Sequence, residues 1–345
     1  MRPCNAYEIR VASRITDQYG LTVPPGTCPL SLLNDPFCPD VGPALIPLFT
    51  PKYTGRERRK KPRWRPRPIR VLLSLLLISA IGYAAAVIWL IRQETRLIFQ
   101  AGSTLAAGRP PFPYEQIDIP RTDGARQFAW VIRHADSDAG PWVLYLHGNV
   151  TTIASQVNIS HYRLLRGLGM NVLAPEYHGF GGIEGVPTEA TLQADARAAY
   201  DYLREARNIP AHSIVIYGWS LGSAVAVDMG SRLPPAAMIL EGAPASLVDL
   251  TRRRYPFFPL RLFMRSSFDS IRKIDRIPTP MLFLHSSTDE VIPIAEGRRL
   301  FEAARGAKMF VEVQGGHVSA IDIDAPRFES AIREFLKRNL LLLVR

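Results

Sequence analysis

After residue 38 the chain has no cysteine. Cys4, Cys28 and Cys38 are its only thiols, so the rest of the sequence cannot assemble a thiolate metal centre or a dithiol redox pair. Other cofactor signatures are missing too. There is no Walker A loop, no H-E-x-x-H pair and no C-x-x-C, and a dinucleotide fingerprint on Gly179 and Gly181 would need glycine at 184, where Glu184 stands. No cofactor and no metal is therefore implied. Lysine is also scarce, at 6 against 36 arginines. Basic excess is absent from most of the chain. Of the net charge of +11, residues 1–70 carry +8 (13 basic, 5 acidic) and residues 71–345 only +3 (29 basic, 26 acidic). A nucleic-acid-binding domain would place its basic patch on the folded body, so no nucleic-acid partner is expected.

What is present is enough apolar residue, 47% of 345, for one domain of about 250 residues with appendages. Residues 1–50 are broken by Pro24-Pro25-Gly26 and by Pro36, Pro39, Pro43 and Pro47, which predicts an irregular segment. Residues 51–70 form a basic juxtamembrane run with Glu57 as its one acid. Val71–Ile91 then follows without a charge, long enough as a helix to cross a hydrocarbon layer of about 30 Å. A cleaved signal peptide would have a shorter core and a shorter lead, so residues 71–91 are predicted to be a transmembrane helix that anchors the chain in the lipid bilayer. The basic run before it predicts a cytoplasmic amino terminus and a carboxy-terminal domain that is periplasmic, extracellular or lumenal.

From residue 113 onward, β-rich runs alternate with helical periods. Strands are predicted at Glu115–Pro120, Gln127–Arg133, Trp142–His147, Asn171–Glu176, Ser213–Tyr217, Met238–Glu241, Met281–His285 and Met309–Gln314. The inner ones are apolar at successive positions, as in Ile214-Val215-Ile216-Tyr217, the pattern of a strand buried on both faces. Leu192, Ala196, Ala199 and Leu203 mark one helical face, and Phe328, Ile332, Phe335 and Leu336 another. The expected fold is a mostly parallel eight-stranded sheet with helices on both faces, its chemistry at the carboxyl ends of the strands.

Gly218-Trp219-Ser220-Leu221-Gly222 stands directly between a strand and a helix-compatible run. A serine on a sharp strand-to-helix turn needs the flanking Gly218 and Gly222, because side chains there would collide with the neighbouring strand and helix. A serine hydroxyl is a weak nucleophile at neutral pH, so a histidine must take its proton and an acid must orient that histidine. Only His285 and His317 follow Ser220. His317, in the Gln314-Gly315-Gly316-His317 loop, is the expected base, and His285 is read as framework. Asp289 is the expected acid, with Glu290 and Glu241 as alternatives. The N–H of Leu221 would form one half of an oxyanion hole. The other half would be the N–H of Asn149, or of Val150, in the loop after Leu146-His147-Gly148. His147 and His178 are read as buried framework residues.

These features resemble those of α/β-hydrolases, in particular the membrane-anchored hydrolase-domain serine hydrolases that include lysophospholipases and depalmitoylases, and the neighbouring serine aminopeptidase-like branch. Leu146-His147-Gly148-Asn149, Glu176-Tyr177-His178-Gly179-Phe180-Gly181, the Ser220 pentapeptide, Thr288-Asp289-Glu290-Val291-Ile292-Pro293 and Gly316-His317 carry the resemblance. It implies an α/β-hydrolase catalytic domain over residues 93–345 that cleaves an acyl ester or thioester through an acyl-enzyme on Ser220. A peptidase of the aminopeptidase branch and a catalytically silent scaffold are the alternatives, and all three triad positions are filled. Residues 242–280, with Arg252, Arg253, Arg254, Tyr255, Phe257, Phe258, Leu262, Phe263, Met264, Arg265 and Phe268, are read as a lid facing a membrane or, equally, as a local helical core with a solvated basic face.

Overall fold

The computed structural model describes residues 67–100, 108–121, 124–135, 138, 140–258 and 264–339. The irregular segment 1–50, nearly all of the basic run and residues 259–263 of the insertion, with Leu262 and Phe263, lie outside them.

Eight strands form one sheet in the order β1-β2-β4-β3-β5-β6-β7-β8. They are β1 Glu115–Ile119, β2 Gln127–Ile132, β3 Trp142–Leu146, β4 Asn171–Pro175, β5 Ile214–Trp219, β6 Ala237–Glu241, β7 Met281–Ser286 and β8 Lys308–Val313. β2 runs antiparallel to β1 and β4, and every other pairing is parallel. This is the predicted α/β-hydrolase sheet, with each strand within about two residues of its expected ends.

Period-two alternation divides the sheet between two apolar layers. Ile214 and Ile216 of β5 face one side together with Leu144, Leu146 and Leu240, against helices α3 (Glu189–Asp201) and α4 (Leu221–Arg232). Val215 and Tyr217 face the other with Val143, Tyr145 and Ile239, against α2 (Gln156–Gly167) and α7 (Ala325–Asn339). Both faces are covered, which explains why these strands read as unbroken apolar runs. Each fully buried aliphatic side chain contributes about 1.5–3 kcal/mol, so the central strands hold the carboxyl-end loops on a stiff base. Two further helices, α5 (Leu247–Arg254) and α6 (Ile294–Ala303), pack against the first layer through Leu247 and Leu300.

Helix α1 runs from Pro68 to Phe99, through and beyond the predicted span 71–91. Arg92, Gln93, Glu94 and Arg96 are good helix formers, and no proline or glycine follows Gly82 until after the helix ends, so nothing in the sequence stops it at the last apolar residue. Gln100, at φ 44°, ends it in a left-handed turn.

Candidate active site

β5 delivers Ser220 at its carboxyl end, and α4 starts one residue later. Ser220 has φ 54° and ψ −119°, a conformation that costs a non-glycine residue about 1–3 kcal/mol. It is fastened on both sides: its N–H donates to the Glu241 carbonyl at 2.8 Å, and its own carbonyl accepts the Ser223 hydroxyl at 2.6 Å. The flanking glycines are required by space. A Cβ on Gly222 would land on the Leu146 carbonyl, and one on Gly218 would strike the Ser223 backbone.

Three loops bring the predicted residues together. The Ser220 hydroxyl lies 2.8 Å from His317 Nε2, and His317 Nδ1 lies 2.7 Å from Asp289 Oδ2. Because a carboxylate only accepts, the proton on this ring belongs on Nδ1, which leaves the Nε2 lone pair facing the hydroxyl. Trp219 stacks on the imidazole at 5.7 Å between centroids. Burial alone would raise the Asp289 carboxyl, but the His317 N–H and the backbone N–H groups of Ile292 and Val291 outweigh it and hold the group below the usual carboxylate range. Those two N–H bonds, 2.7 and 2.9 Å to Oδ1, also fix the carboxylate's direction.

Hydrogen bonding separates the alternative acids. Glu241 Oε2 already takes Tyr217 Oη at 2.6 Å and His161 Nε2 at 2.7 Å, in a buried cluster beneath the sheet end. Glu290 accepts the backbone N–H of His317 at 3.0 Å, so it holds the loop and not the ring. His285 donates Nε2–H to the Ile292 carbonyl at 2.8 Å. Burial pushes its imidazole below the ordinary value, so it stays neutral beside Asp289, with its Nε2 3.6 Å from that carboxylate.

The loop after β3 faces the elbow from across the sheet end. His147 Nδ1 bonds the Gly148 carbonyl at 2.9 Å and Nε2 bonds Glu176 at 2.9 Å, while Thr151 donates to the same carbonyl at 2.9 Å. Glu176 also accepts the N–H of Ile153, so one buried pair shapes the whole turn. His178 is bound to Asp195 at 2.6 Å, away from the serine. Among the described residues no backbone acceptor meets the N–H of Asn149 or of Leu221, the two expected oxyanion donors. Val150 sits at φ 60° within the same turn.

Sequence reasoning missed the part played by α1. A cavity of about 460 Å³ opens at Ser220, Leu221 and Asn149 and is walled by α1 through Val87, Leu90, Ile91, Leu97 and Ile98. Leu247, Leu250, Tyr255 and Phe258 of the insertion close its other side. Asn149 Nδ2 donates to the Ile98 carbonyl, so the end of α1 also braces the β3 loop. Glu94 was the available signal: a carboxylate immediately after an apolar span, between two arginines, that proves to be buried.

No protein-family model matches the sequence. The chain is similar to an uncharacterised protein of Mycobacterium tuberculosis, with 32% identity over 289 residues that cover 81% of this chain and 98% of that one. It is 31% identical over 221 residues to the α/β-hydrolase domain-containing protein WAV2 of Arabidopsis thaliana, covering 59% of this chain and 71% of that relative. Among solved structures, an esterase of Pyrococcus furiosus superposes with a TM-score of 0.57 at 18% identity, covering 68% of this chain and 95% of the esterase.

Proposed function

This chain belongs to the α/β-hydrolase domain-containing proteins, and we propose that it is a membrane-anchored serine hydrolase that cleaves carboxylic esters or thioesters through an acyl-enzyme on Ser220. The observation that carries the proposal is the unbroken line Ser220 Oγ, His317 Nε2, His317 Nδ1, Asp289 Oδ2, at 2.8 and 2.7 Å, opening on an apolar cavity.

His317 takes the hydroxyl proton as Ser220 attacks the acyl carbonyl, and Asp289 holds the ring in the Nδ1–H tautomer and stabilises it once charged. The N–H groups of Leu221 and Asn149 receive the developing oxyanion, each worth about 3 kcal/mol in such sites. Protonated His317 then gives its proton to the departing alcohol or thiol. Water, deprotonated by His317, cleaves the acyl-enzyme in the second half. α1 holds the catalytic domain at the bilayer, with the amino terminus on the cytoplasmic side by the positive-inside rule.

The test is fluorophosphonate labelling of the full chain in detergent or vesicles, wild type against Ser220→Ala. Labelling and ester turnover are expected in the wild type and should both vanish in the variant. A labelled Ser220→Ala protein, or a folded wild type that neither labels nor turns over an ester, would overturn the reading.

A further inference from the structure

We propose that α1 is more than a tether: its second half is a wall of the acyl-binding site, and the acyl chain enters that site sideways from the hydrocarbon layer. The inference rests on the serine hydrolase reading above and adds where the substrate comes from and which residues measure its chain.

Three observations carry it. The first is the lining. Val87, Leu90 and Ile91 belong to the uncharged span, yet they line the same cavity as Ser220, so a largely apolar wall, interrupted on α1 by Glu94, leads from the span to the nucleophile. The volume, about 460 Å³, lies in the range of small-ligand pockets.

The second is depth. Tyr83 donates its hydroxyl to the Phe257 carbonyl at 3.0 Å and stacks on Phe258 at 6.0 Å between centroids. Tyr83 precedes Arg92, the first charge after the span, by nine residues, or about 13 Å along a helix. The Tyr255–Phe258 turn of the insertion therefore descends beside α1 to that depth and meets the hydrocarbon layer directly. Phe257 is 86% exposed there, an aromatic ring placed for contact with lipid.

The third is attachment. The Glu94 carboxylate accepts the backbone N–H groups of Arg265 and Ser266 at 2.8 and 2.9 Å, and Ile98 receives Asn149 Nδ2. The helix is thus bonded to the insertion at two heights and to the oxyanion loop at its end. A helix serving only as a tether would need none of these bonds.

The occupant that fits is the acyl chain of an ester or thioester already dissolved in the bilayer, with its carbonyl at Ser220 and its tail along Leu90 and Ile91. The test uses the full chain in phosphatidylcholine vesicles and reads the ratio of kcat/KM for p-nitrophenyl laurate to that for p-nitrophenyl butyrate. Leu90→Trp and Ile91→Trp, which fill the cavity, should lower the ratio roughly tenfold or more. Leu90→Ala, which enlarges it, should move the optimum to a longer chain. Ile88→Trp, at an exposed position that does not line the cavity, should leave the ratio as in the wild type. Fluorophosphonate labelling of Ser220 reports that each variant is folded. An unchanged ratio in both tryptophan variants, or equal losses on both esters in all three cavity variants, would overturn the wall while leaving the hydrolase reading in place. A wild type that neither labels nor cleaves butyrate would overturn both. A lysophospholipid and an S-acylated peptide bearing the same chain form two further arms. A ratio effect confined to one of them names the head group that presents the chain, and either result supports the wall.

Discussion

Ser220 holds a backbone conformation that only its surroundings make tolerable, and those surroundings are two glycines and the Glu241 carbonyl. Gly222→Ala should therefore cost about 3 kcal/mol or abolish folding, because the added methyl meets backbone that has no room to retreat. Chemical denaturation against wild type measures it. Asp289→Asn keeps the shape but lets the ring take the other tautomer, and kcat should fall on the order of 10³–10⁴-fold at unchanged Ser220 content. The same carboxyl sets a pH dependence. Its folded pKa lies below its unfolded value, so its contribution to stability is full above the usual carboxylate range and is lost as pH falls through the folded value. The stability difference between wild type and Asp289→Asn should shrink as pH falls below about 4, followed by chemical denaturation at stepped pH. The meeting of Ser220, His317 and Asp289 was legible in the sequence because strand-to-helix position and chain order restrict which side chains can come together there. Which of Asp289, Glu290 and Glu241 meets the His317 ring depends on partners from distant parts of the chain: Tyr217 and His161 occupy Glu241, and the His317 backbone occupies Glu290.

Among the elements, the strands were the easiest to read, since burial on both faces leaves a run such as Ile214–Tyr217 with no polar position to disguise it. The end of α1 was harder. Apolarity defines a membrane span, whereas helix continuation depends on propensity, and Arg92 to Arg96 satisfy the second after failing the first. In the insertion, Phe268 is buried in the core and Arg252 is exposed, while Tyr255 and Phe258 line the cavity. Glu94 joins the two elements, and its removal would strand two backbone donors in a buried place. Glu94→Ala should lower stability by about 1–3 kcal/mol and open the backbone at Arg265 and Ser266 to limited proteolysis, with cleavage there read by mass spectrometry.

For the whole molecule, the governing feature is that α1 runs for 32 residues, about 48 Å, without a break. Were α1 the proposed anchor, a hinge between it and the domain would let the serine range over a volume, whereas a continuous rod bonded at both its middle and its end would hold the serine at one height. On the anchored reading, search becomes two-dimensional. Substrate is then counted per area of membrane, so diluting vesicles at constant lipid composition should leave the rate per enzyme unchanged. Diluting the substrate with inert lipid inside the same vesicles should lower it in proportion at low mole fraction. A rate that follows bulk concentration instead would argue for delivery through water. With α1 as a bilayer anchor, the length of one uninterrupted helix decides the units in which saturation is to be expressed.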